Sequence, residues 1–92
     1  MNGSYIKELL NNPDLAFRVV KIRGKNKKLY YHIDIINNFN CDYPNIVSLP
    51  VIRRDVIVYD EFGIEIGDEP IFPWAELDAI AYKGGFINCI KV

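Results

Sequence analysis

The sequence predicts an α+β fold, in which a strongly bent, mainly antiparallel sheet of about five or six strands carries a short N-terminal helix and a short helical turn near residues 74–81. Segments in which apolar and polar residues alternate recur along the chain between turn-forming residues, and this pattern is typical of antiparallel strands. Helical spacing of apolar residues is confined to a stretch near the N-terminus and a second stretch near residues 74–81. The strands therefore build the fold, and the helices pack on it.

The first helix is predicted to begin near Ser4, whose hydroxyl can accept a hydrogen bond from the Lys7 amide. Its apolar stripe consists of Ile6, Leu9 and Leu10. Pro13 disfavours helical geometry in the residue before it, so the helix ends near Asn12. A helix this short is marginal alone and must dock on the rest of the protein.

Residues 17–23 and 28–35 predict a hairpin closed by a turn at residues 24–27. The second strand alternates between two faces: Leu29, Tyr31, Ile33 and Ile35 on one, and Lys28, Tyr30, His32 and Asp34 on the other. If Arg23 pairs with Lys28, Val20 and Ile22 join the first face. The outer face then combines Phe17, Val19, Lys21 and Arg23 with Tyr30 and His32.

The remaining elements follow from turn residues and spacing. Residues 36–50 are rich in loop formers and predict irregular structure. Residues 56–59 and 64–66 predict a second hairpin with Gly63 in a left-handed conformation. The last predicted elements are a short strand at Ile71–Phe72, a helical turn with Trp74, Leu77, Ile80 and Ala81 on one face, and a final strand over Phe86–Val92.

The second hairpin and the helical turn resemble bacterial PH-like domains. The matching residues are Gly63, Ile64, Ile66, Ile71, Pro73, Trp74, Glu76, Leu77 and Ile80. The resemblance implies a curved β-sheet scaffold that is used for binding, and it brings no catalytic residue to carry over. That family usually continues with more strands and a closing helix, whereas this sequence stops at Val92, so either a PH-like sheet or a partial barrel is expected.

Length and composition predict a single globular domain over residues 1–92, because half of the residues are hydrophobic and a quarter are charged. The formal net charge is −1, which argues against a protein that binds polyanions through its overall charge. The charges are segregated: bases without acids lie between Leu15 and Ile33, and acids without bases lie from Asp55 to Asp78. A basic end and an acidic end are expected.

Cys41 and Cys89 are far apart in the sequence, and there is neither a signal-peptide core nor an apolar run of membrane-spanning length. These features predict a cytoplasmic protein with free thiols. The abundance of Ile, Asn, Lys and Tyr is typical of AT-rich genomes, such as those of low-GC bacteria and their phages.

No catalytic, metal or cofactor site is predicted. His32 is the single histidine, and no nucleophile motif accompanies it. One histidine and two isolated cysteines do not supply a zinc site, and the glycines lack phosphate-loop spacing. The acidic turns lack the alternating oxygen ligands of a calcium loop.

The function predicted from these observations is non-enzymatic binding of a protein partner, or self-association, as in adaptors, inhibitors and immunity proteins or other antagonists. The predicted contact residues are Phe17, Lys21, Arg23, Tyr30 and His32, and the acidic turns over Asp60–Glu69 are the second candidate surface. One alternative is a nucleic-acid-binding module that uses the basic hairpin at 17–35. A second alternative is a small enzyme that uses His32.

Overall fold

The computed structural model describes residues 3–23, 29–54, 57–59, 62–68 and 72–90. Its elements are α1 (Gly3–Leu10), β1 (Ala16–Arg23), β2 (Leu29–Ile36), β3 (Ile46–Arg54), β4 (Ile57–Tyr59), β5 (Glu65–Asp68) and α2 (Trp74–Lys83). The strands form one antiparallel sheet in the order β1-β2-β3-β4-β5. The predicted α+β architecture with two short helices is confirmed. Neither of the helices in the described ranges has the length and apolar character to cross a bilayer.

Both helices pack on the same face of the sheet, which we call the helix face. Its buried cluster consists of strand residues Phe17, Val19, Tyr31, Ile33, Val51, Val58 and Ile66, helix residues Ile6, Leu9, Trp74 and Leu77, and Phe72. No member of this cluster is more than 8% exposed. Burial of apolar area on this scale supplies most of the favourable free energy of folding.

Trp74 anchors α2 on the helix face, as its helical spacing to Leu77 predicts. The Trp74 ring centroid lies 4.5 Å from that of Phe72 and 5.4 Å from that of Tyr31. Leu77 is fully buried one turn further along the helix. The helix ends at Gly84, which has φ 72° and donates its amide hydrogen to the carbonyl of Ile80.

Strand β3 corrects the expectation that residues 36–50 are irregular, because the chain is already extended from Ile46. Pro50 is tolerated in this central strand. It lies opposite His32 in a position whose backbone groups point away from β2, and the described part of β4 begins pairing only at Ile52. The missing amide hydrogen of Pro50 therefore removes no bond to β2.

The second hairpin follows the prediction around Gly63, which has φ 79°. Strands β4 and β5 flank it, and the pairing shifts register between Val58 and Tyr59. The turn residues at 60–61, and residues 69–71 after the hairpin, lie outside the described residues. The predicted strand at Ile71–Phe72 is wrong at Phe72, which is not in a strand.

The predicted final strand over Phe86–Val92 is wrong in the part that is described. Residues 86–90 instead make two isolated bridges, Phe17 with Ile87 and Asn40 with Ile90. The Asn88 side chain donates hydrogen bonds to the carbonyls of Asn12 and Leu15, at 3.1 and 3.0 Å. The segment therefore lies against the edge of β1 and the connection that precedes it.

A disulfide joins Cys41 to Cys89, with the Cα atoms 5.8 Å apart. This bond corrects the expectation of two free thiols. The residues are 48 positions apart in sequence. Spacing alone did not place them together, because the C-terminal segment returns to the loop after β2 through the neighbouring bridge between Asn40 and Ile90.

Candidate functional site

The register of the first hairpin divides the predicted contact residues between the two faces of the sheet. Arg23 pairs with Leu29 and not with Lys28, so each β1 residue lies one position from where the sequence was expected to place it. A shift of one residue moves every side chain to the opposite face. Phe17, Lys21 and Arg23 therefore share the helix-face side with Tyr31, whereas Tyr30 and His32 are on the other side.

Phe17 cannot contact a partner in the folded protein, because its side chain is 0% exposed and belongs to the core beneath the helices. The single surface predicted from Phe17 to His32 is therefore wrong as a continuous patch. Val20 and Ile22, which were expected on the apolar inner face, take the outer positions beside Tyr30 and His32. The contact roles of the other four predicted residues stay predictions.

The face without helices carries two rows of side chains that cross the strands, and we call these rows the open face. One row runs through Ile22, Tyr30, Ile52 and Tyr59, which are directly paired between neighbouring strands. The second row runs through Val20, His32 and Pro50. Val20 is 37% exposed and the other six are half-buried, so the surface is apolar and accessible.

A row of polar residues borders the open face towards the start of β1 and the end of β2. Arg18, Asp34 and Ser48 are paired across β1, β2 and β3. The Arg18 Nε lies 2.7 Å from Asp34 Oδ2, and the Ser48 hydroxyl donates to Asp34 Oδ1. Asp34 is only 5% exposed, so these partners replace the water that its carboxylate loses.

His32, Asp34 and Ser48 share this side of the sheet but do not form a catalytic triad. A triad needs the hydroxyl to bond to the imidazole and the imidazole to bond to the acid. In the described ranges the Ser48 hydroxyl donates to Asp34 and neither group is paired with His32. The imidazole instead lies beside the Tyr30 ring, with the centroids 5.6 Å apart.

Lys21 lies on the helix-face side at the edge of the sheet and contacts α2. Its Nζ is 3.1 Å from Asp78 Oδ1, and the Tyr31 hydroxyl donates to the same oxygen at 2.6 Å. The basic and acidic stretches of the sequence thus meet at this contact. Lys21 and Asp78 are each more than two-fifths exposed, so their ion pair contributes less than about 1 kcal/mol.

Strand β3, which supplies Pro50 and Ile52 to the open face, was not predicted, although the sequence contains a signal for it. Val47, Leu49 and Val51 alternate with Ser48 and Pro50, which is the period of a half-buried strand. The loop-forming residues around this segment obscured that period. Without β3, neither Pro50 nor Ile52 could be placed beside Tyr30.

No metal site is evident in the described part of the chain, which contains no group of three or more His, Cys, Asp or Glu side chains that could hold an ion. Comparison with protein-family models, with curated proteins and with solved structures finds no match to this chain. The function must therefore be argued from the surfaces of the protein itself.

Proposed function

We propose that this protein is a non-enzymatic binding module that recognises another protein through the open face. The observation that carries the proposal is the alignment of Ile22, Tyr30 and Ile52 across three neighbouring strands, while both helices pack on the opposite face. Aromatic and aliphatic side chains that lie together on an accessible surface are typical of the core of a protein interface.

The charges around the open face favour an apolar partner over a nucleic acid. A nucleic-acid platform combines aromatic side chains with cations that neutralise phosphates. Arg18 borders this face, and among the side chains that the structure describes it already pairs with Asp34. The side chains that form the two rows are aliphatic, aromatic or imidazole, and a partner surface with little charge complements them.

The resemblance to PH-like domains agrees with this proposal, since it implies a sheet scaffold that serves binding and not catalysis. Two features of that pattern lie in the described ranges, namely the left-handed Gly63 and the helix that begins at Trp74. A cytoplasmic location also stays a prediction. The disulfide between Cys41 and Cys89 counts against it, because such bonds persist in oxidising compartments.

The test compares two aromatic residues that differ in position. Tyr30→Glu places a charge in the centre of the open face. Tyr43→Glu is the matched control, because Tyr43 is 81% exposed and lies on the loop between β2 and β3. Immobilised wild-type and variant proteins are incubated with extract of the native host, and the retained proteins are identified by mass spectrometry.

We expect a host protein that binds wild-type and Tyr43→Glu but is lost with Tyr30→Glu, while urea unfolding shows that both variants are folded. Retention of the same proteins by all three chains would refute the proposal. Single-stranded oligonucleotide binding that depends on Tyr30 and weakens steeply with salt would assign the open face to nucleic acid instead. Light scattering that shows a dimer lost in Tyr30→Glu would assign it to self-association.

A further inference from the structure

The outer edge of β1 offers a second surface, which borders the open face at Val20. β1 is the first strand of the sheet, so one of its sides has no neighbouring strand among those that the structure describes. At one position this edge is already paired: the Phe17 amide donates to the Ile87 carbonyl at 3.2 Å, and the Ile87 amide donates to the Phe17 carbonyl at 2.7 Å. The edge is therefore competent to accept an added strand.

The hydrogen bonds between Phe17 and Ile87 also determine in which direction the backbone groups of the following β1 residues point. In an antiparallel strand the amide and carbonyl of one residue point to the same side, and the side alternates along the chain. Since Phe17 points outward, Val19 and Lys21 also point outward, while Arg18 and Val20 bond to β2. Among the described residues, no backbone pairing continues from Ile87 to Val19 or Lys21.

Gly84 and Gly85 direct the chain away from this edge of β1. A strand continuing backwards from Ile87 would run beside Val19, but Gly84 and Gly85 have φ 72° and 80° and turn the chain into α2. The space beside them is open, since apart from the adjoining residues of the chain no atom lies within 4 Å of the point that a Cβ would occupy at either glycine. The result is a groove of 650 Å³ between β1 residues 18–21, the last turns of α2 and residues 84–86.

The charged groups at this groove are already paired. Lys21 is bonded to Asp78, and Arg18, bonded to Asp34, also has its guanidinium 4.7 Å from the centre of the Phe86 ring. The remaining side chains of the wall include Val20, Ala81 and Tyr82, and the Tyr82 side chain is 94% exposed. The groove thus offers strand backbone without a described partner, between walls whose charged groups are paired with each other or with Asp34.

We propose that this groove binds an extended, largely apolar and uncharged segment of a partner protein, which adds to β1 as a further strand. Backbone hydrogen bonds to Val19 and Lys21 hold such a segment, and Tyr82 contacts one of its side chains. A single strand is favoured over the edge of a second copy of the sheet. The end of α2 and residues 84–86 rise beside β1, leaving a channel rather than an open edge.

The experiment uses the full chain and a library of linear peptides displayed on phage. The strongest selected peptide is synthesised, and its dissociation constant is measured by calorimetry. Lys21→Pro removes the outward amide hydrogen, and proline is tolerated at such a position of an edge strand. Lys21→Ala is the matched control, because it also removes the ion pair with Asp78 but keeps the amide.

We expect Lys21→Pro to bind the peptide about tenfold more weakly than Lys21→Ala, because both variants lose the ion pair with Asp78 and only the proline variant also loses the amide hydrogen. Amide hydrogen exchange of the wild-type chain gives a second measurement that does not depend on the folding of either variant. The amides of Val19 and Lys21 should become protected when the peptide is added, whereas those of Val20 and Ile22 should be protected already.

Equal binding by the proline and alanine variants would overturn the proposal, as would protection that appears elsewhere than at Val19 and Lys21. Failure to select any peptide that binds the chain would also overturn it. A concentration-dependent dimer in which Val19 and Lys21 become protected without peptide would assign the edge to a second copy. None of these outcomes depends on Tyr30, so this test and that of the open face succeed or fail separately.

Discussion

The Tyr31 hydroxyl donates a hydrogen bond of 2.6 Å to Asp78, and this contact joins the central part of the sheet to α2. The two residues are 47 positions apart in sequence. Burial, followed by the hydrogen bond to Asp78, raises the pKa of Tyr31 above its usual range. The same hydrogen bond, with Lys21 nearby, lowers the pKa of Asp78. The contact therefore favours the protonated Tyr31 hydroxyl and the ionised Asp78 carboxylate, which are the two forms that make this hydrogen bond.

Tyr31→Phe should lower the free energy of unfolding by about 1 kcal/mol, because the ring stays packed while one hydrogen bond is lost. The measurement is urea unfolding at neutral pH. Tyr82→Phe serves as the control, since the Tyr82 side chain is 94% exposed and its hydroxyl has water available. A loss of the same size in both variants would show that the contact with Asp78 does not stabilise the fold.

The contribution of Asp78 should depend on pH. Its pKa is lower in the folded than in the unfolded chain, so its stabilising effect is present above the unfolded value of about 3.9 and is lost as the pH falls through the folded value. Asp78→Asn should therefore flatten the decline of stability between about pH 5 and pH 2. Parallel curves for wild-type and variant over this range would contradict the expectation.

Trp74→Ala should cost about 3–5 kcal/mol, because it removes a large buried side chain that packs on Phe72 and Tyr31. Trp74→Phe should cost much less. The indole nitrogen of Trp74 is buried without a hydrogen-bond partner in the described structure, so phenylalanine loses no such bond. Thermal unfolding compares the two variants, and a nearly unchanged melting temperature for Trp74→Ala would mean that the side chain is not part of the core.

Gly63→Val should destabilise the second hairpin by at least about 1 kcal/mol, because a β-branched residue is strained at φ 79°. The site has open space around the missing Cβ, so the cost is conformational and not steric. Gly63→Asn should recover most of the stability, since asparagine adopts left-handed geometry more readily. Equal destabilisation by valine and asparagine in urea unfolding would argue against this explanation.

Reduction of the disulfide between Cys41 and Cys89 should lower stability by about 2–4 kcal/mol, since the bond closes a long loop of the unfolded chain. The measurement is thermal unfolding with and without dithiothreitol. The variant with both Cys41→Ser and Cys89→Ser should match the reduced wild type and should not respond to the reductant. A wild-type melting temperature that dithiothreitol leaves unchanged would mean that the bond does not form in solution.

Local sequence patterns predicted those elements whose conformation depends mainly on residues close together in the sequence. The first helix, the alternation of β2, the left-handed Gly63 and the helix at Trp74 follow from periodicity and from backbone preferences, and each is present. Strand β3 was missed because Pro50 and Ser48 disfavour a strand when they are read locally. The sheet accommodates Pro50 because the backbone groups at this position point away from β2. That direction depends on how the strands pair, which the local sequence does not specify.

The candidate site was harder to predict than the fold because it depends on register. Arg23 pairs with Leu29 and not with Lys28, and this difference alone moves Phe17 into the core and brings Val20 and Ile22 to the surface. The turn predicted at residues 24–27 itself lies outside the described residues. The alternation of side chains along β2 was enough to predict the correct side of the sheet for Tyr30 and His32. Surface prediction in a sheet is therefore limited by the loop that sets the pairing.

The hydrogen bonds from Asn88 to Asn12 and Leu15 span 76 and 73 residues of sequence, and these contacts bear on the order of folding. Closing so long a stretch of flexible chain costs conformational entropy before the contacts repay it, so such contacts slow folding. The connection between α1 and β1 also has local hydrogen bonds within residues 7–15, so the bonds from Asn88 add to contacts that this segment makes by itself. During synthesis, the contacts from Asn88 become available only after the chain has been extended past residue 88, whereas the local bonds of the connection are available much earlier.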